Sequence, residues 1–223
     1  MRPLKQIPDK GFYQPEFSPW KGHGEFGQYL RVCNGYGVPE KQYYLYSFLL
    51  QTVPVPGRVV ECGVFCGWSA ILLGSLMKNK CPGKRLLLFD TFCGIPDSNP
   101  ELDAFEAGDF GAASFNLVRS NILLILKNDD FVTYFVGAIP RTFSGCENLT
   151  VSLVHVDVDV YEATKDCLEF FWPRLSPGGV MVLDDYGHPN TTGAKKACDE
   201  FFADKKEKPI ALQKGQAFAI KGW

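Results

Sequence analysis

The 223-residue sequence predicts an α/β fold built on a doubly wound, mostly parallel sheet that ends in an antiparallel hairpin. Three observations predict it. From residue 58 onward, short apolar runs alternate with helix-length amphipathic segments, the order that parallel strands and their crossovers require. A glycine-bearing stretch, "ECGVFCGWS" (61–69), joins the first of these runs to a helix. Aspartates close two later runs, "VSLVHVDVD" (151–159) and "GGVMVLDD" (178–185), and open parallel sheets bind their ligands at the carboxyl ends of strands.

The elements follow in order. Residues 1–37 are rich in Gly, Pro and aromatics without a period and predict an irregular arm that folds over the domain. A helix runs from Glu40 to Gln51 and is stopped by Pro54 and Pro56. Strand 58–64, helix 68–79 and strand 85–90 form a βαβ unit. Residues 97–113 combine acids, Gly and Pro with few periodic apolars, which predicts a lid loop. Phe115, Val118, Ile122 and Ile125 mark a helix face, and strand 131–137 follows. The fourth strand is 151 onward, and Ala163, Cys167, Phe170 and Phe171 face the core from the helix after it. The fifth is 178–185, and Ala194, Ala197, Cys198, Phe201 and Phe202 have the spacing of an amphipathic helix. The stretch 209–223 reads as two strands around a Lys-Gly-Gln turn, an antiparallel edge on a parallel sheet. The whole of 1–223 is thus one domain.

Composition narrows the function. Twenty-three basic residues against 25 acidic ones, a formal charge of -2, carry no electrostatic footprint for nucleic acid or an anionic membrane. A small-molecule partner is expected. The eight cysteines form no C-x-x-C pair and several fall in apolar patterns, as reduced core thiols do. With no apolar leader and no run of about 18 apolar residues, the expected location is the cytoplasm.

The turn after the first strand is spaced Glu61-x-Gly63-x-x-x-Gly67, and Phe65 stands where a pyrophosphate loop would place a glycine. A dinucleotide is disfavoured. Asp90 ends the second strand, where an acid accepts hydrogen bonds from ribose hydroxyls. A ribose without a pyrophosphate suggests S-adenosylmethionine (SAM).

Strand alternation sends Asp157 and Asp159 to one side, and a neighbouring fifth strand brings Asp184 and Asp185 close to them. Carboxylates about 4 Å apart repel by roughly 4 kcal/mol at an effective dielectric of about 20. Protonating one acid would relieve this, but for an all-oxygen cluster with no His-Cys set nearby a hard divalent cation is the simpler answer, Mg²⁺ before Ca²⁺ or Mn²⁺. His155 shares the parity of Asp157 but lies deeper, in the core or behind the acids. His188 is an alternative base, His23 lies in the arm, and Tyr161 and Tyr186 follow the two acid pairs.

"VVECGVFCGWSAI", "FDTFCGIPD", "HVDVDVYEAT" and "LSPGGVMVLDDYG" together resemble the successive signatures of the macrocin O-methyltransferase (TylF-like) family, over about residues 57 to 203. The resemblance implies the class I methyltransferase Rossmann-like fold, with a seven-stranded sheet. It implies a SAM- and metal-dependent enzyme that methylates a hydroxyl of a small molecule, a sugar hydroxyl of a glycosylated natural product, with a dimer as the expected assembly. By the same resemblance Glu61, Gly63 and Gly67, with Ser69, line the methionine end of SAM. Asp90 holds the ribose, and Thr91 and Phe92 lie beside the adenosine. Asp157, Asp184 and Asp185 are the implied Mg²⁺ ligands and Asp159 the implied base. The competing readings are a catechol-type O-methyltransferase and a non-catalytic SAM- or sugar-binding protein. An NAD(P)-dependent oxidoreductase is disfavoured by Phe65.

Overall fold

The computed structural model of the chain describes residues 24–32 and 38–222. Its centre is a seven-stranded sheet in the order β3-β2-β1-β4-β5-β7-β6. The strands are β1 (Arg58–Cys62), β2 (Leu86–Asp90), β3 (Val132–Val136), β4 (Val151–Val156), β5 (Leu175–Leu183), β6 (Ile210–Ala211) and β7 (Ala217–Ile220). β1 to β5 pair in parallel, whereas β7 runs antiparallel to both β5 and β6. The chain order reverses at β1, so the carboxyl ends of β1 and β4 flank a crevice of the kind that takes ligands in open sheets.

Helices cover both faces. On one lie α1 (Gly24–Val32), α2 (Pro39–Gln51), α3 (Trp68–Lys80) and α4 (Phe115–Leu126); on the other lie α5 (Tyr161–Phe171) and α6 (Thr192–Phe202). Alternation along the strands divides the core accordingly. Val59, Leu86, Leu88, Leu153 and Val182 pack towards the first set, and Val60, Leu87, Phe89, Val154, Val156 and Met181 towards the second. Each fully buried side chain of this size contributes about 1.5–3 kcal/mol relative to exposure. Local signals agree with the packing: Ser114 caps α4 by accepting from Leu117 N–H at 3.3 Å, a cap worth about 1 kcal/mol.

The sequence expectation of an irregular arm does not hold over Gly24–Val32, which is helical. α1 is held by tertiary contacts, which short helices need. Phe26 is fully buried against the rings of Tyr43 and Tyr46, and Glu25 pairs with Lys80 at 2.7 Å. His23 lies outside the described residues. No helix among those described is long and apolar enough to cross a membrane, and the seven described cysteines are free thiols.

Candidate active site

At the crevice a cavity of about 430 Å³ opens, a size in the range of small-molecule sites. Gly63, Asp90 and Thr91 line it from the ends of β1 and β2, Gly137, Ile139 and Pro140 from the end of β3, and Asp157 and Asp159 from the turn after β4. Gly63 has φ +82, and a Cβ there would sit 1.7 Å from the Asp157 carbonyl oxygen. Only glycine lets β1 and β4 come this close at their ends. Asp90 fastens the same turn: its carboxylate accepts from Val64 N–H at 2.6 Å, Phe65 N–H at 3.1 Å and Phe92 N–H at 2.6 Å. At the mouth, Phe65 and Phe110 meet edge to face at 5.6 Å, both with positive φ and both more than 40% exposed.

Residues 97–113 contain no helix or strand and are tied down at both ends. Ile95 and Asp109 are joined through the backbone (Ile95 N–H to Asp109 O, 2.9 Å). Asp103 accepts from Tyr161 N–H at 2.8 Å, serving as a cap for α5 from 58 residues away in sequence.

The acid cluster forms, though not by the strand alternation expected. β4 stops at Val156, and Asp159 adopts φ +63, a left-handed conformation uncommon outside glycine and associated with functional sites. Asp157 N–H is bound by Cys62 O at 2.9 Å and Asp159 N–H by the Asp185 carboxylate at 3.0 Å, so the turn is folded back onto β5. The result is that carboxylate oxygens of Asp157, Asp159 and Asp185 lie within 4.8 Å of one another, as do ligand atoms of His155, Asp157 and Asp184.

Asp184 is the most heavily bonded member. His155 Nε2 lies 3.4 Å and Gln216 Nε2 2.7 Å from its Oδ1, while Lys41 forms an ion pair with its Oδ2 and donates to its backbone carbonyl at 3.0 Å. The other ring nitrogen of His155 lies 2.9 Å from Glu61 Oε1, giving a buried Glu61–His155–Asp184 chain across three neighbouring strands. Burial opposes charge at His155 and Asp184, yet His155 and Lys41 hold the Asp184 carboxyl below the usual range, and Asp184 and Glu61 raise the imidazole. Asp157 and Asp185 shift the other way: burial, then neighbouring carboxylates, push both well up. Asp159 is pushed up to about 6 by burial and then by Asp184.

The site residues expected from sequence therefore divide. Gly63, Asp90, Thr91, Asp157 and Asp159 line one cavity. Glu61 does not: it is fully buried beneath the cluster, with Oε1 on His155 and Oε2 without a hydrogen-bond partner among the described residues. Gly67 is the left-handed N-cap of α3 packed on Val118, Ser69 lies in the first turn of that helix, and Phe92 is buried against Phe115. These three shape the turn from behind. Asp184 and Asp185 stand beneath the lining. His188 is exposed beyond the end of β5 and lines no part of the cavity. Lys41 and Gln216 were not anticipated. They come from α2 and from the residue just before β7, and no sequence spacing connects them to Asp184.

A hard divalent cation fits the donor set, since the carboxylates of Asp157, Asp159 and Asp185 converge, ligand atoms of His155, Asp157 and Asp184 form a second convergent group, and burial among like charges pushes Asp157 and Asp185 up. SAM fits the cavity by its size, its glycine-forced close approach and its position at the ends of β1 and β2.

The sheet order, with its reversed terminal strand and its glycine turn after β1, defines a class I O-methyltransferase fold. The fold matches that of the O-methyltransferase NovP, with a TM-score of 0.74 at 23% identity over 83% of this chain and 81% of that one. It also matches the calicheamicin methyltransferase CalS11, with a TM-score of 0.69 at 19% identity over 89% and 91% of the two chains. Within this class the chain belongs to the macrocin O-methyltransferase (TylF) family, which it matches over residues 49–213. Among its relatives are the 8-demethyl-8-(2,3-dimethoxy-alpha-L-rhamnosyl)-tetracenomycin-C 4'-O-methyltransferase of Streptomyces olivaceus, 34% identical over 59% of this chain. Another is the demethyldecarbamoylnovobiocin O-methyltransferase of Streptomyces niveus, 30% identical over 67%. The matched regions span 54% and 59% of those two relatives' lengths.

Proposed function

We propose that this chain transfers a methyl group from SAM to a hydroxyl of a small molecule, a sugar hydroxyl of a glycosylated natural product, with the help of Mg²⁺. The observation that carries the proposal is the meeting of Asp157 and Asp159 with the glycine turn in one cavity, directly above Asp185. Relatives named as O-methyltransferases of a rhamnosylated tetracenomycin and of demethyldecarbamoylnovobiocin support the acceptor class.

In this reading Asp157, Asp184 and Asp185 hold the cation, and His155 and Gln216 orient Asp184 through its Oδ1. When bound, the cation lowers the pKa of a nearby hydroxyl and fixes its direction. SAM supplies an electrophilic methyl group on a sulfonium. Asp159 accepts the proton of the acceptor hydroxyl as that oxygen is methylated. Its place in the cavity and its upward shift to about 6 suit a base near neutrality. Gly63 and Asp90 fix the turn that holds the cofactor, and residues 97–113 with Phe65 and Phe110 form a lid that excludes water. The test is incubation of the protein with SAM, Mg²⁺ and a panel of glycosides and catechols, following S-adenosylhomocysteine release and locating the new methyl by NMR. Methylation of a sugar hydroxyl is expected; turnover restricted to catechols would overturn the acceptor class.

A further inference from the structure

We infer that Lys41 and the divalent cation are alternative occupants of the Asp184 carboxylate, so that Lys41 stabilises the acid cluster before the metal arrives and yields to it afterwards. The inference rests on the reading of the cluster as a metal centre. Asp184 Oδ1 is taken by His155 and Gln216, and Oδ2 is the oxygen paired with Lys41. If Asp157, Asp184 and Asp185 hold the cation, the Asp184 oxygen left for it is Oδ2, the one the ammonium occupies. Lys41 sits in the field of all three carboxylates, and its side chain is 17% exposed. Two positive charges competing for one oxygen repel strongly at such range.

The architecture permits exchange. α2 is anchored by buried Leu45, Tyr46 and Leu49, so the helix stays in place. The ammonium, in contrast, is a point charge on a flexible four-carbon stem that can swing aside. His155 and Gln216 keep their grip on Oδ1 throughout, so Asp184 retains its orientation during the exchange. Lys41 is thus a positioning residue whose cation stands in for the metal.

Mn²⁺ titration followed by EPR of the free ion, on the wild type, Lys41→Met and Lys41→Gln, tests this, with thermal unfolding measured with and without Mg²⁺. Both variants are expected to bind Mn²⁺ about tenfold or more tightly, since no cation has to leave Asp184. Both should also lose stability when metal-free and regain more on Mg²⁺ addition than the wild type does. If Lys41→Met fails to fold without metal, Lys41→Gln, which still donates to Asp184, carries the comparison. Unchanged or weaker Mn²⁺ binding by the variants overturns the inference and leaves the metal centre standing. A wild type that binds no Mn²⁺ removes the metal centre itself, and the inference with it.

Discussion

Gly63→Ala probes the closest approach in the site. The added Cβ would lie 1.7 Å from the Asp157 carbonyl oxygen and 2.6 Å from its carbonyl carbon, both backbone atoms that no rotamer change can move. The residue would also have to keep φ +82. Left-handed backbone costs a non-glycine residue about 1–2 kcal/mol and overpacking about 1–3 kcal/mol, so a loss of about 2–5 kcal/mol is expected. Relief can come only by parting the ends of β1 and β4, which breaks the 2.9 Å bond from Asp157 N–H to Cys62 O and displaces a cluster carboxylate. Urea unfolding measures the stability and calorimetry with S-adenosylhomocysteine the cofactor site. Gly83→Ala, where an added Cβ meets nothing within 4 Å, is the control and should change stability by no more than about 0.5 kcal/mol. A Gly63→Ala protein within about 1 kcal/mol of wild type, with cofactor affinity intact, would refute the reasoning.

Further predictions follow from the same geometry. Asp159→Asn should retain Mn²⁺ binding yet lose roughly 10²- to 10⁴-fold in turnover; loss of metal binding comparable to that of Asp185→Ala would make Asp159 a ligand instead. Asp103→Ala removes the cap on α5 and should cost about 0.5–2 kcal/mol, with faster proteolysis inside 97–113; unchanged cleavage there would show that Asp103 does not fasten the lid. Phe65→Ala or Phe110→Ala breaks the ring pair at the mouth, worth about 0.5–1.5 kcal/mol, and should speed S-adenosylhomocysteine release in stopped-flow displacement. An unaltered release rate would place the rings outside the lid.

The fold was legible because strand and helix periods differ and each element from β1 to β7 carries its own pattern. Strand 151 onward, strand 178–185 and the helix with Ala194 and Phe202 all recur as β4, β5 and α6. α1 was not legible, because Phe26 and Tyr29 need the α2 rings before a nine-residue helix can persist. In the site, local residues such as Gly63, Asp90 and Asp157 could be found from their positions at strand ends. The acid cluster was expected for an incomplete reason: alternation fails beyond Val156, and the left-handed turn at Asp159 does the gathering. Its charge balance was also only half visible. Repulsion among the aspartates implied a cation, but the cations supplied by the protein, Lys41 and His155, reach Asp184 from 143 and 29 residues away. Glu61 shows the converse. The family resemblance implied contact with the cofactor, whereas strand register puts it opposite His155.

The most direct test is anomalous diffraction from a crystal grown with Mn²⁺ and S-adenosylhomocysteine. The account predicts one Mn²⁺ peak bound by Asp157, Asp184 and Asp185, with Lys41 withdrawn from Asp184 and the cofactor product in the cavity lined by Gly63 and Thr91. Clear density for S-adenosylhomocysteine in that cavity with no Mn²⁺ at the aspartates would contradict the metal-assisted account, and the product bound elsewhere would contradict the site itself.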